Sequence, residues 1–156
     1  MASPTPTAQP LALHGRGLVG GGAPAWVLVL TAEERTRLRG LHRTCCGREV
    51  LLQLPRGGPL QPGEWLAEQP GQVGLVQVQA APEALLQVRG TDPLALLQAA
   101  YHLGNRHVAL EVHPGELRLL EDPVLAHLLE HRGLQVAPLQ APFQPEMGAY
   151  SESHDH

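Results

Sequence analysis

The chain has 156 residues, of which 43% are hydrophobic and 3% aromatic, enough for one ordinary core or two small ones packed mainly from Leu, Val and Ala. Its net charge is −4, its basic side chains are all arginines and no dense basic run occurs, so the sequence lacks the electrostatic footprint of a nucleic-acid-binding protein. No apolar run approaches the ~20 residues of a transmembrane helix and the N-terminus has no signal-peptide pattern, so we expect a cytoplasmic protein without a membrane anchor.

The N-terminal residues do not have the composition of a packed element. Residues 1–10 are mostly Pro, Ala, Ser and Thr, and we expect them to be mobile. Residues 15–20 have the spacing of a dinucleotide fingerprint, in which a glycine-rich turn leads into a helix whose N-terminus binds a pyrophosphate. Because the following Gly21-Gly22-Ala23-Pro24 cannot open a helix, we interpret residues 15–20 as a flexible surface loop rather than a cofactor site.

Residues 26–81 consist of short apolar or alternating runs separated by turns, a pattern typical of an all-β domain. Clusters of Gly and Pro separate the runs. The predicted strands are Trp26–Leu30, Val50–Leu54, Trp65–Ala67 and Val73–Gln79. Residues 31–44 are ambiguous, because Ala32-Glu33-Glu34-Arg35 taken alone indicates that a helix begins after Thr31.

The two cysteines, Cys45 and Cys46, are adjacent and precede Gly47 in what we interpret as a hairpin turn. Neighbouring thiols cannot link distant parts of a chain, which fits a reducing compartment. A soft-metal site needs more ligands than two neighbours, so structural or neutral thiols are the favoured interpretation and a metal role stays the alternative.

The pattern changes near residues 80–83, beyond which strands and helices alternate. This half contains an internal repeat of strand, Asp-Pro cap, helix of about ten residues, Gly stop and strand. The caps are Asp92-Pro93 and Asp122-Pro123, and the stops are Gly104 and Gly133. Two such copies predict a ferredoxin-like βαββαβ domain, with both helices on one sheet face and the other face available. The predicted fold class is therefore α+β, an all-β domain followed by a ferredoxin-like one.

The first predicted helix ends close to a histidine. Its apolar residues recur at near-helical spacing and are Leu94, Leu96, Leu97, Ala100, Tyr101 and Leu103. Gly104 should end the helix, and a strand over residues 107–112 should follow. The core face of that strand would carry Val108, Leu110 and Val112. Alternation then turns His107 outward, on the same side as Glu111 and His113.

The heptapeptide Tyr101-His102-Leu103-Gly104-Asn105-Arg106-His107, with the Val108-Ala109-Leu110-Glu111-Val112 that follows, closely resembles the signature of the urease accessory protein UreE family, the nickel metallochaperones of urease maturation. Residues 143–150, Phe143-Gln144-Pro145-Glu146-Met147-Gly148-Ala149-Tyr150, resemble that family's C-terminal motif. The terminal Ser153-His154-Asp155-His156 resembles a short version of its metal-binding tail. Residues 30–35 and 47–57 are similar to the family more weakly.

This resemblance covers most of the chain from about residue 28 to residue 150 and implies three parts. Residues 1–80 would be an N-terminal β domain of the partner- or peptide-binding kind, and residues 81–142 a ferredoxin-like metal-binding domain. Residues 143–156 would be the C-terminal motif and a flexible histidine-bearing tail. The resemblance also favours a strand, rather than a helix, within residues 31–44.

His107 cannot hold a metal ion alone, because nickel(II) and zinc(II) need four or more ligands. The resemblance implies a homodimer in which His107 from both chains binds one Ni(II) at the two-fold axis, a site that would also suit Zn(II) or Cu(II). Without the resemblance, an ordinary exposed strand histidine is the simpler interpretation. His154 and His156 are expected to help bind the ion, the alternative being a non-specific histidine tail. His102 and His113 are secondary candidates, and His102 more simply caps the last helical turn.

Two further histidines, His127 and His131, lie one helical turn apart but on the predicted solvated face of the second helix. Its core side would carry Val124, Leu125, Leu128 and Leu129. We expect no catalysis, because the only serines lie near the termini and no cluster of metal ligands on rigid elements would serve a zinc hydrolase. The resemblance implies the GTPase UreG and the apo-urease maturation complex as partners. The alternative function is a scaffold that recruits this GTPase and binds metal incidentally.

Overall fold

A computed structural model describes residues 9–148 of the chain. The predictions of a mobile N-terminus, over residues 1–8, and of a flexible tail with His154 and His156 therefore lie outside the described residues. The chain divides into two compact units, Met1–Gln79 and Ala80–His156. Within the described part, none of the helices has the length and apolar character needed to cross a membrane.

The first unit consists of short strands in two sheets. Its elements are β1 (Leu11–Leu13), β2 (Gly15–Leu18), β3 (Trp26–Leu30), α1 (Ala32–Arg35), β4 (Arg39–Arg43), β5 (Glu49–Gln53), β6 (Trp65–Ala67) and β7 (Val76–Ala80). One sheet has the order β1-β5-β4 and the other β2-β6-β7-β3. Aliphatic side chains from both sheets form one core cluster, as the composition predicted, with fully buried Leu28, Leu52 and Val78 among its members. This unit is the predicted N-terminal β domain.

The glycine-rich stretch interpreted as a flexible loop is a strand for most of its length. Gly15–Leu18 pairs antiparallel with β6, with a register shift where Gly17 adopts a positive φ of 67°. A Cβ atom on Gly15 would lie 2.7 Å from the carbonyl oxygen of Gln69, so glycine is required here for close backbone packing. The loop interpretation was wrong because glycine serves chain approach in a bulged strand as well as loop flexibility.

Residues 31–44 contain both of the structures that were weighed for them. Thr31 caps the one-turn helix α1 in a capping box, since its hydroxyl oxygen accepts the Glu34 N–H and the Glu34 carboxylate accepts the Thr31 N–H. The strand favoured by the family resemblance begins only at Arg39, so that prediction was wrong for residues 32–35. The predicted hairpin turn is confirmed, because Cys45 and Cys46 join β4 to the antiparallel β5, and both thiols are free and exposed.

The second unit has the predicted ferredoxin-like arrangement. Its elements are β8 (Pro82–Arg89), α2 (Pro93–Asn105), β9 (Glu111–His113), β10 (Glu116–Leu120), α3 (Pro123–His131) and β11 (Gln135–Pro142). All neighbouring strands are antiparallel in the order β11-β8-β10-β9. The Asp-Pro caps are confirmed, since the carboxylates of Asp92 and Asp122 accept N–H groups of the first turns of α2 and α3. The α+β fold class is thereby confirmed.

Both helices bury only one stripe of their apolar residues. On α2 the buried residues are Leu96, Ala99 and Leu103, whereas Leu94, Leu97 and Tyr101 are exposed. On α3, Val124 is exposed, contrary to prediction, while His127 and His131 are exposed as predicted. A helix that covers one face of a sheet buries a single apolar stripe, so a second stripe of apolar residues is left at the surface.

The sheet face opposite the helices carries an ionic network. The carboxylate of Glu116, on β10, accepts hydrogen bonds from Gln87 and Arg89 on the neighbouring strand β8 and from Arg118 on its own strand. Burial by itself raises the pKa of the Glu116 carboxyl, but the hydrogen bonds from Arg118, Arg89 and Gln87 outweigh it and lower the pKa from 4.5 to about 2. Glu116 is therefore ionised in the folded protein well below the pH at which an unfolded chain would protonate it.

This shift predicts an acid-sensitive contribution to stability. Because the folded-state pKa is depressed, the contribution is fully present above pH 4.5 and is lost as pH falls towards about 2. Its size is on the order of 3 kcal/mol. We expect Glu116→Gln to lower the free energy of unfolding at pH 7 and to flatten its dependence on pH between about 5 and about 2, measured by urea denaturation. Parallel pH profiles for the two proteins would contradict this role of Glu116.

Candidate functional site

The backbone after α2 turns at His107 rather than at Gly104. The helix continues through Gly104 to Asn105, and the predicted stop at Gly104 was therefore wrong. Among the described residues, His107 is the one non-glycine residue with a positive φ, 60°. Its N–H donates to the carbonyl of Gly104 at 3.0 Å, and the N–H of Val108 donates to the carbonyl of Leu103 at 3.0 Å. These two bonds define a Schellman motif in which His107 holds the left-handed position.

The helix α3 ends with the same motif and supplies an internal comparison. Gly133, with a φ of 84°, donates to the carbonyl of Glu130 at 2.9 Å, and Leu134 donates to the carbonyl of Leu129 at 3.2 Å. Gly133 thus holds the position that His107 holds after α2. A side chain in the left-handed conformation costs about 1–2 kcal/mol that glycine avoids. A strained non-glycine residue at one of two equivalent turns is an observation that points to function.

The strand predicted to begin at His107 is shorter than expected. Residues 108–110 are irregular and β9 comprises Glu111–His113. Leu110 and Glu111 are both buried and Val112 is half exposed, so the alternation assumed from His107 onwards fails. The turn explains this failure, because strict alternation of side-chain direction requires a regular strand. A left-handed residue followed by three irregular residues does not preserve it. The His107 side chain is nevertheless exposed, as predicted.

The other predicted site residues of the described part do not gather around His107. Nε2 of His113 donates to Oε2 of Glu111 at 2.6 Å, so these two lie together as expected. The His102 ring lies edge-on to Tyr101, with ring centroids 5.3 Å apart, while backbone N–H groups satisfy the end of α2. Over residues 9–148 no group of three or more His, Cys, Asp or Glu side chains could hold a metal ion. Within the described part of one chain, His107 is therefore an exposed imidazole outside any such ligand group.

The neighbouring thiols Cys45 and Cys46 do not form a ligand group either. A hydrogen bond from Cys45, together with its charge and a small desolvation effect, raises the pKa of the Cys46 thiol above 9.0. Since the thiolate is the metal-binding form, this shift works against Cys46 as a metal ligand at neutral pH. The interpretation as structural or neutral thiols stays a prediction, and a metal role stays the alternative.

An exposed apolar stripe leads along α2 towards His107. Leu94, Leu97 and Tyr101 follow one another at spacings of three and four residues, which places them on one side of the helix. They are 58%, 68% and 68% exposed. Asn105, four residues further and also exposed, continues this line to the end of the helix. We call Leu94, Leu97 and Tyr101 the α2 stripe.

The C-terminal motif is hydrogen-bonded to residues that follow His107 closely in the sequence. The N–H of Gln144 donates to Oε1 of Glu111 at 2.7 Å, and the N–H of Glu146 donates to the carbonyl of Leu110 at 2.7 Å. Phe143, which precedes them, is fully buried. The segment that leads into the histidine-bearing tail is thus bonded to residues three and four positions after His107.

Sequence reasoning missed two features of this region. The α2 stripe was seen only as part of the apolar pattern of the helix, and its exposure was not predicted, although a helix that covers one sheet face buries a single apolar stripe. The buried carboxylate of Glu111 was seen only as a neighbour of His107. Nothing in the local pattern distinguishes it from a solvated strand residue, because two of its three partners lie far along the chain, at positions 118 and 144.

The twin turns predict opposite effects of substitution. His107→Gly relieves the left-handed strain and should raise the free energy of unfolding of the metal-free protein by about 1 kcal/mol. The greater entropy that glycine gives the unfolded chain opposes part of this gain. Gly133→Ala should lower it by about 1 kcal/mol. His107→Ala keeps the strain and serves as the control, with stability near that of the unchanged protein. Urea denaturation measures all three, and a His107→Gly protein less stable than His107→Ala would contradict the assigned strain.

Comparison with known proteins gives the family. The family model for the UreE urease accessory protein, N-terminal domain, matches residues 12–81, and that for its C-terminal domain matches residues 83–156. A urease accessory protein UreE of Parasynechococcus marenigrum is 62% identical over 130 residues, 83% of this chain and 85% of the relative. Proteins of the same name from Synechococcus sp. (strain WH7805) and Burkholderia ambifaria are 57% and 48% identical, covering 83% and 86% of this chain and 73% and 64% of the relatives. The resemblance first drawn from residues 101–107 is confirmed, and the chain belongs to the UreE family of urease accessory proteins.

Proposed function

We propose that this protein is a non-catalytic nickel metallochaperone of urease maturation, which binds Ni(II) through His107 of both chains of a homodimer and delivers it to apo-urease. Family membership supports the urease part of this proposal. The observation that carries the nickel part is His107 itself, an exposed imidazole kept in a strained turn where the equivalent turn has Gly133. A histidine with only a structural role would gain stability by becoming glycine.

The α2 stripe supports a homodimer. Leu94, Leu97 and Tyr101 form an apolar line with no covering element in the described part of the chain. The occupant we infer is the same stripe of a second chain, because a two-fold axis makes a self-complementary contact from one patch. The stripe leads towards the C-terminus of α2, so a two-fold axis close to that end of the helix would lie near His107 of both chains. The single imidazole of each chain then becomes a pair.

Two imidazoles are not a complete ligand set, and the tail histidines would supply the remainder. His154 and His156 follow the segment that is bonded beside Leu110 and Glu111. Imidazole is a suitable ligand for Ni(II), and equally for Zn(II) or Cu(II). These ligands therefore suit nickel but do not by themselves select nickel over zinc or copper. His102 and His113 remain secondary candidates, His113 with its Nε2 already engaged by Glu111. A site assembled from two chains and their tails suits a carrier that must release its ion.

The partners we propose are the GTPase UreG and the apo-urease maturation complex, in the cytoplasm. One observation favours a second function, a scaffold that recruits the GTPase and binds metal incidentally. It is the lack of a three-ligand group within residues 9–148. The two functions differ in whether tight nickel binding depends on His107.

The shared site predicts a stoichiometry. Equilibrium dialysis should find about one tightly bound nickel ion per dimer, because each chain contributes half of the inner ligands. His107→Ala should abolish the tight site. His127→Ala removes an equally exposed histidine from α3 and should leave the site intact. A tight ion on each monomer, or one unaffected by His107→Ala, would instead favour the scaffold.

The tail predicts a pH dependence. Imidazole binds metal only when neutral and titrates near ~6.5 when unperturbed, so affinity should fall steeply as pH drops from about 8 to about 6. A chain ending at Tyr150 should bind nickel more weakly and show a shallower fall, because its tail protons no longer compete with the ion. Nickel titrations of both chains at several pH values measure this. Identical pH profiles would mean that His154 and His156 are not ligands.

A further inference from the structure

The end of β11 and the strand β9 lie at opposite edges of the second sheet, yet the chain links them. Shortly after β11, the Gln144 N–H bonds to the Glu111 side chain on β9 at 2.7 Å. Two residues later, the Glu146 N–H bonds to the Leu110 carbonyl, also at 2.7 Å. These two backbone bonds hold the C-terminal segment at the β9 edge.

Glu111 makes this link from an almost buried position, 7% exposed. One carboxylate oxygen accepts the Gln144 N–H, and the other accepts Nε2 of His113 at 2.6 Å and, more weakly, Nη1 of Arg118 at 3.4 Å. Arg118 lies directly opposite on β10. Both oxygens are therefore occupied by protein donors, and a buried carboxylate bonded to a backbone N–H is a strong anchor.

We propose that Glu111 is a positioning residue that holds the C-terminal segment so that His154 and His156 reach the nickel site at His107. This inference rests on the proposed function. Glu111 itself does not ligate the ion. It fixes the starting point of the tail, with His113 and Arg118 holding its carboxylate in place.

Chain geometry is consistent with this role. Leu110 is three residues from His107, a separation of at most about 11 Å, and His154 is eight residues beyond Glu146, a reach of at most about 29 Å. A tail that starts at the β9 edge can therefore return to His107. Without the anchors, the last sheet pairing before the tail is Pro142 on β11, at the far edge. Holding a ligand close raises its effective concentration at the site.

A double-mutant cycle tests the proposal. Nickel dissociation constants are measured for four proteins, the full chain and the chain ending at Tyr150, each with and without Glu111→Ala. We expect Glu111→Ala to weaken binding by about threefold to tenfold in the full chain and to have little effect once the tail is absent. Such non-additivity shows that Glu111 acts through the tail.

Two further variants make the test specific. Gln144→Pro removes the donated N–H while leaving Glu111 intact, so it should reproduce the tail-dependent loss even if Glu111→Ala fails to fold. Arg89→Ala disturbs the neighbouring ionic network at Glu116 but removes neither a donor to Glu111 nor any of the observed bonds to residues 143–146, and it should show no coupling to the tail. Glu111→Gln retains an acceptor oxygen and should restore most of the tail's contribution.

The proposal is overturned if Glu111→Ala and Gln144→Pro weaken binding equally with and without the tail, or not at all. It is also overturned if removal of the tail leaves nickel affinity unchanged in the otherwise unaltered protein. In each of these cases His107→Ala still reports separately on the proposed function. Loss of tight binding in His107→Ala would preserve the shared site while rejecting the anchor.

Discussion

The left-handed turn at His107 is the constraint on which the functional region depends. A helix that ends in a Schellman motif must place one residue at positive φ, and glycine does so at the least cost. The protein follows this rule after α3, with Gly133, and breaks it after α2. The strained residue is an exposed imidazole. Under the proposed function, the difference between two otherwise equivalent turns separates a structural helix end from a functional one.

Three features meet within residues 94–111 because of that turn. The α2 stripe runs up to it, His107 occupies it, and Leu110 and Glu111 follow it with the bonds that hold the C-terminal segment. In the proposed dimer the stripe brings two copies together and Glu111 brings each tail to the pair. In this dimer, parts that one short stretch of sequence places side by side would assemble a metal site that residues 9–148 of one chain do not form alone.

The fold could be predicted from the sequence wherever local signals were sufficient. The Asp-Pro caps at residues 92 and 122 defined both helix starts, and the repeat around them gave the ferredoxin-like order of elements. Local sequence signals gave the wrong secondary structure where one residue type serves two structural purposes. Gly104 looks like a helix stop but is helical, and Gly15 looks like loop but lies in a strand against the Gln69 backbone. The location and outward direction of His107 were predictable, but its strain was not. The bond from Gln144 to Glu111 spans 33 positions and depends on tertiary structure.

The central claim, that one ion is shared by His107 of two chains, implies thermodynamic linkage between nickel binding and dimerisation. An ion held by both chains binds the dimer more tightly than the monomer, so nickel must strengthen dimerisation. Sedimentation equilibrium at a series of nickel concentrations measures this directly. We predict that the dimer dissociation constant falls as nickel is raised, and that it stays constant in His107→Ala. A dimer dissociation constant that does not depend on nickel in the unaltered protein would contradict the shared site.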